Sequence, residues 1–160
     1  MFRSITQSYK NLPISPSLLG VIALLLCVFL IGREYASHIL NEYNYPFSWF
    51  FTSTKFVVNY LIWILLAPLV YKITLRLQNR NLTLGNIFWV LIGILLLSVA
   101  HRILTSRIDD SVYYISEGYL KDFLGANSVT GLVIGGFTSS IELLVLIAIF
   151  FAVDYQKRYM

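Results

Sequence analysis

Four apolar stretches, each close to the length that crosses a bilayer, constrain this chain more than any other feature: Leu18 to His38, Phe56 to Leu75, Asn86 to Arg107 and Val129 to Val153. A spanning helix needs ~20 mostly apolar residues. Lipid offers no water to an unpaired peptide group, so each stretch must satisfy its backbone internally, as a helix. The alternating segments of ~10 residues that build a membrane β-barrel do not occur. Four such helices take up about half of the 160 residues and leave no room for a separate soluble domain of ~100 residues. The expected fold is therefore all-α: a polytopic, multi-pass membrane protein made of a single four-helix transmembrane domain over residues 1–160, with residues 154–160 beginning a cytoplasmic linker.

Charge supports the same reading. Charged residues make up 12% of the chain, and its net charge is +4. The basic residues lie near helix ends, where they anchor a protein to headgroups, so no nucleic-acid contact by this chain is expected. With both termini on one side, that side holds Arg3, Lys10, Lys72, Arg76, Arg80, Lys157 and Arg158. The other holds Arg33, Lys55, Arg102, Arg107 and Lys121, a count of seven against five. Lys and Arg favour the cytoplasmic face, which predicts cytoplasmic termini. The first stretch follows Arg3 and Lys10 as a signal peptide would, but Gly32 gives way to Arg33, Glu34 and Tyr35 rather than to a small-residue cleavage site. It is expected to stay as an anchor.

The short segment Asn79 to Gly85 predicts an antiparallel hairpin of the second and third helices. Between Ile108 and Ser128, Val112, Ile115, Tyr119 and Phe123 recur at three- and four-residue spacing, which predicts a short amphipathic outer helix ended by Gly125-Ala-Asn127. Tyr43, Tyr45, Phe47, Trp49, Phe50 and Phe51 on one side, and Tyr71, Tyr155 and Tyr159 on the other, suit the headgroup layer.

Function must lie in the few polar groups inside the lipid. Glu142, near the middle of the fourth helix, heads the list, because an intramembrane carboxylate is costly unless paired or protonated. Gly131, Gly135, Ser139 and Glu142 follow one another at steps of four, four and three, so they share a face: a small-residue packing ridge that continues into the carboxyl. Its role is either structural, an inter-helix hydrogen bond, or that of a switch. Ser98, His101, Arg102 and Thr105 form a polar band on the third helix. Arg102 is placed either to snorkel outward or to pair with Glu142. His101 has the intrinsic pKa of a pH reporter, and its plainer reading is hydrogen-bonded packing. Arg33, Glu34 and His38 lie at a similar outer depth on the first helix and offer a polar cavity with these groups. In the second helix, Asn59 and Trp63 share a face, and Pro68 must break a helical bond to Ile64 and kink the helix. No phosphate-binding glycine loop, nucleophile elbow or zinc-protease helix is present, so this chain is not expected to be an enzyme. Cys27 is the lone cysteine and the two histidines are unrelated in position, so no metal or cofactor is expected.

The run Tyr60-Leu-Ile-Trp63-Ile-Leu-Leu-Ala67-Pro68-Leu, then Arg76, then Leu97-Ser98-Val-Ala-His101, resembles the membrane region of Lyt-type bacterial sensor histidine kinases and LytTR-type transcriptional regulators. So does the end of the chain, Glu142-Leu-Leu-Val-Leu-Ile followed by Ala152-Val-Asp154-Tyr155-Gln-Lys157-Arg158-Tyr159. The resemblance covers about residues 56–107 and 140–160. It implies a sensor or regulatory domain of a two-component or related signal-transduction protein in the bacterial cytoplasmic (inner) membrane. Such a domain is a homodimer that answers a stimulus or small ligand. Its fourth helix leads into a cytoplasmic effector in cis, a histidine kinase or a LytTR DNA-binding domain. Neither effector lies within these residues, and the charged run Gln156 to Met160 lacks a helix-stop signal, so a continuation is expected. Two other classes fit the residues: a small four-helix transporter using the membrane carboxylate, and a passive assembly subunit in which Glu142 and Arg102 merely pair.

Overall fold

The computed structural model describes residues 9–43, 46–78, 83–118 and 128–159. Among these, four helices carry the chain: α1 (Pro16–Leu40), α2 (Trp49–Leu77), α3 (Leu84–Glu117) and α4 (Ser128–Tyr159). All four are long and apolar enough to cross a membrane. Most of their large apolar side chains point outward, Leu24, Phe29, Trp89 and Phe137 among them. An outward apolar surface of that extent suits lipid and not water.

Local chemistry sets the ends. Ser15 caps α1 by accepting from the Leu18 amide, with Pro16 at the first helical position, where its missing N–H costs nothing. Thr83 caps α3 in the same way through the Asn86 amide. The second helix begins seven residues before the apolar run that announced it, because Trp49, Phe50 and Phe51 join its first turn.

The third helix departs most from expectation. The amphipathic stretch after Arg107 is not a separate helix: α3 runs unbroken for 34 residues to Glu117. At 1.5 Å per residue it is about 51 Å long, well beyond the ~30 Å hydrocarbon layer. Nothing from Ile108 to Glu117 interrupts a helix. Gly118 does, in the left-handed conformation (φ 76°) that ends helices and that a residue with a Cβ adopts only at a cost. Tyr119, Phe123 and the expected break at Gly125-Ala-Asn127 lie outside the described residues.

α2 is the hub, packing against α1, α3 and α4, and α3 also packs against α4. The hairpin of α2 and α3 is present as predicted. Ala67, Val70, Leu143 and Phe150 are fully enclosed at the α2–α4 seam. Two clamps close the end of the bundle where α2 and α4 finish. The Tyr71 hydroxyl donates to Asp154 Oδ1 at 3.2 Å, and Arg158 holds Asp154 Oδ2 at 2.8 Å and the Gln78 side chain at 3.2 Å.

Pro68 lies within α2, and the helix continues through it. Its ring leaves the Ile64 carbonyl without the usual amide donor four residues on. The Tyr9 hydroxyl lies at this break, donating to the neighbouring Leu65 carbonyl at 2.9 Å with a longer contact of 3.4 Å to the Ile64 carbonyl. Leu12 and Ile14, buried in the core with Trp63 and Val70, hold this N-terminal strap in place. Burial raises the Tyr9 phenol above its ordinary pKa, so it stays the donor. Tyr9→Phe should therefore lower stability by about 1 kcal/mol and speed hydrogen exchange around Pro68. Unchanged exchange there would show that the strap leaves the proline break untouched.

Candidate functional site

The interior polar groups meet near the middle of three helices. Trp63 on α2 points its indole N–H at Glu142 on α4, with Nε1 2.7 Å from Oε2. One turn earlier on the same face of α2, the Asn59 amide reaches both carboxylate oxygens, at 3.3 and 3.4 Å. His101 on α3 stacks on Trp63, with ring centroids 4.0 Å apart and planes 15° from parallel. Its Nε2 lies 3.4 Å from the Asn59 carbonyl and its Nδ1 3.2 Å from the Ser139 hydroxyl of α4. A carbonyl can only accept, so Nε2 carries the proton and Nδ1 accepts from Ser139. Asn59 thus acts twice, through its side chain on Glu142 and through its backbone on His101.

The small-residue ridge of α4 faces α3. Gly136 approaches Val99, and a Cβ on Gly135 would run into the Arg102 side chain. Gly135 thus makes room for Arg102, and one turn on, Ser139 meets His101 across the same contact. Gly131, one turn before Gly135, is half-buried. The polar band of α3 is longer than its sequence signal. Ser98, His101, Thr105, Ser106, Asp109 and Asp110 are all buried, a column about 18 Å tall. Ser98 and Thr105 satisfy themselves on carbonyls of their own helix. Asp110 pairs with Arg107 at 3.4 Å, and Asp109 feels the charges of Lys55 and Arg102.

Several expected partnerships take another form. Among the described residues Arg102 makes no ion pair with Glu142; its Nε is buried without a hydrogen-bond partner, and the carboxylate is held by neutral donors instead. The reason is rotational: Gly135 admits the Arg102 side chain on the α3 face of α4, while Glu142 turns to α2. Arg33 and Glu34 pair with each other at 2.9 Å at an exposed site and do not join the centre. His38 packs among aromatic rings, 5.5 Å from Tyr43 and 5.4 Å from Phe47. Among the described residues, these contacts do not bring Arg33, Glu34 and His38 together with the α3 band. Sequence reading placed Asn59 and Trp63 on one face but gave them no partner; the intramembrane carboxylate was the signal that could have joined them.

Beside the centre lies a cavity of about 280 Å³ between α1, α2 and α4, with Glu142, Trp63 and Tyr60 in its wall. Every other lining side chain is apolar.

Charge-assisted bonds are worth about 1.5–3 kcal/mol, whereas intramembrane side-chain bonds average ~0.6 and reach ~1.7. A double-mutant cycle of Trp63→Phe with Glu142→Leu should return a coupling of about 1–2 kcal/mol. The Arg102→Met and Glu142→Leu cycle should return less than ~0.5 kcal/mol. The reverse order would reassign the carboxylate's partner to Arg102.

No protein-family model, curated protein or solved structure matches the chain. What the centre does rests on its own geometry.

Proposed function

We propose that this chain is the membrane sensor or regulatory domain of a bacterial signal-transduction protein, in which α4 relays the state of the Glu142 centre to the cytoplasmic end of the bundle. One observation carries the reading. A single helix, α4, is held to α2 by two separate polar latches, Glu142 at mid-membrane and Asp154 at the terminal end. Between them Leu143, Ile147 and Phe150 pack into the core, so this stretch moves as a rigid piece. Loosening the first latch changes the load on the second, about 18 Å away. Interface helices in known switches shift by ~1–2 Å, and a ligand drives such a shift only by binding one of the two positions more tightly. The resemblance of the Tyr60 to Leu69 and Leu97 to His101 runs to Lyt-type sensors supports the same reading. Within it the chain works as a dimer in the bacterial inner membrane, with a histidine kinase or LytTR effector following α4.

The relay is tested by spin labels at Ala152 on α4 and Leu69 on α2, both exposed, in a Cys27→Ser background. Glu142→Gln should shift the distance distribution by about 2 Å or redistribute it between two peaks. An unchanged distribution would remove Glu142 from the relay. A transporter reading is favoured by one observation, the cavity against Glu142. Liposomes containing the chain should take up no organic cation above protein-free controls, and Glu142-dependent uptake would decide for transport.

A further inference from the structure

We infer that the cavity between α1, α2 and α4 is a binding site for a small amphipathic organic monocation, which places its charge against Glu142 and its body along apolar walls. This rests on Glu142 being the sensing centre, and it names the ligand class that centre reads. Three observations converge. First, the Glu142 carboxylate receives N–H groups from Asn59 and Trp63, yet no cationic side chain lies within ion-pair distance among the described residues. The donors hold the carboxyl in place without supplying a counter-charge, and a carboxylate that lacks one in low dielectric favours any cation that can reach it. Second, the rings of Tyr60 and Trp63 border the cavity at the carboxylate, and aromatic rings attract cations and hold their methyl groups. Third, the rest of the wall, Ala23 and Leu26 of α1, Ala67 of α2 and Val145 of α4 among it, offers no polar side chain.

That third feature selects the class. A hard inorganic cation needs about six oxygens around it, and the described residues hold no group of three metal-binding side chains. An ammonium with an apolar body needs one carboxylate and walls like these. At about 280 Å³ the cavity is at the small end of ligand pockets, so the body is about one ring in size. Leu26 and Val145 are both part of the lining and exposed on the bundle's outer face, so the mouth opens sideways to the lipid between α1 and α4. A ligand that partitions into the bilayer can enter there.

Trp63 is its own reporter once Trp49 and Trp89 are replaced by Phe, since both of those are exposed at the surface. In phosphatidylcholine nanodiscs, benzyltrimethylammonium should change Trp63 emission saturably. Neopentylbenzene, its uncharged isostere, should bind at least tenfold more weakly. Glu142→Gln keeps an acceptor for Trp63 and should weaken the cation at least tenfold. Ala23→Phe fills the apolar end, leaves the carboxylate and its donors untouched, and should weaken it similarly. No saturable response to the cation, an equal response in Glu142→Gln, or an equal response to the neutral isostere would each overturn the site. Binding without movement of the Ala152–Leu69 distance would keep the site and overturn only the relay.

Discussion

The bundle is organised by one carboxylate and the two nitrogen donors that hold it. A charged side chain near the bilayer centre costs about 2.5–3.5 kcal/mol on insertion scales. The bonds from Trp63 and Asn59 return about 0.6–1.7 kcal/mol each. Together they offset part of that cost, and the whole of it only at the upper end of the range. Such a centre adds little to stability but fixes geometry, because the offset exists only while α2 and α4 keep one rotation and one register. The remaining cost makes it sensitive: a cation or a further hydrogen-bond donor at the carboxylate has something left to offset.

The other contacts follow from satisfying the centre without water. Trp63 must give its indole edge to Glu142, so its face is free to be covered, and His101 covers it. Where α3 crosses α4, Gly135 leaves room for the Arg102 side chain, and His101 reaches Ser139 one turn further on. Both ring nitrogens of His101 are then engaged, on Asn59 and Ser139, and the neutral imidazole is complete as it stands. That favours the packing role for His101 over pH reporting, the two readings its sequence position allowed. The ridge is therefore not simply a dimer-like small-residue motif: within this chain it faces α3 and makes room there for Arg102.

Depth was legible in the sequence, and rotation was not. Apolar length located all four spans, and one charge in the fourth located Glu142, because both are properties of position along the membrane normal. Which side of a helix faces a neighbour was harder to read, since lipid is as apolar as a core and leaves little contrast around the axis. The small-residue spacing supplies some contrast and turns Glu142 toward the protein, where Trp63 and Asn59 bond it. It could not choose between α2 and α3, and so Arg102, at a plausible depth, stood as a partner it does not become. The buried pair Asp109 and Asp110 was hidden for a related reason. Two carboxylates after an apolar run read as the water side, whereas α3 simply carries them on inward. The Tyr9 strap was invisible because it closes a long loop back onto a break whose need only the three-dimensional path of α2 reveals.

The asymmetry of the bundle bears on how such a centre could be read out. α3 and α4 are locked to α2 by polar bonds as well as packing, whereas α1 meets α2 across Leu19, Cys27 and their neighbours with almost no polar contact. Its tether is the strap before it, where Tyr9 caps the carbonyls opposite Pro68. α1 lines the cavity opposite α4 with apolar side chains alone, Leu19, Ile22, Ala23 and Leu26 among them. An occupant that draws Glu142 toward the cavity must loosen it from Trp63 and Asn59, the donors that keep α4 against α2. One that leaves the carboxylate where it is would displace only α1, and no signal would reach Asp154. The site can therefore discriminate by charge even where it accepts many shapes, because only a group that competes for the carboxylate acts on the helix that leaves the membrane.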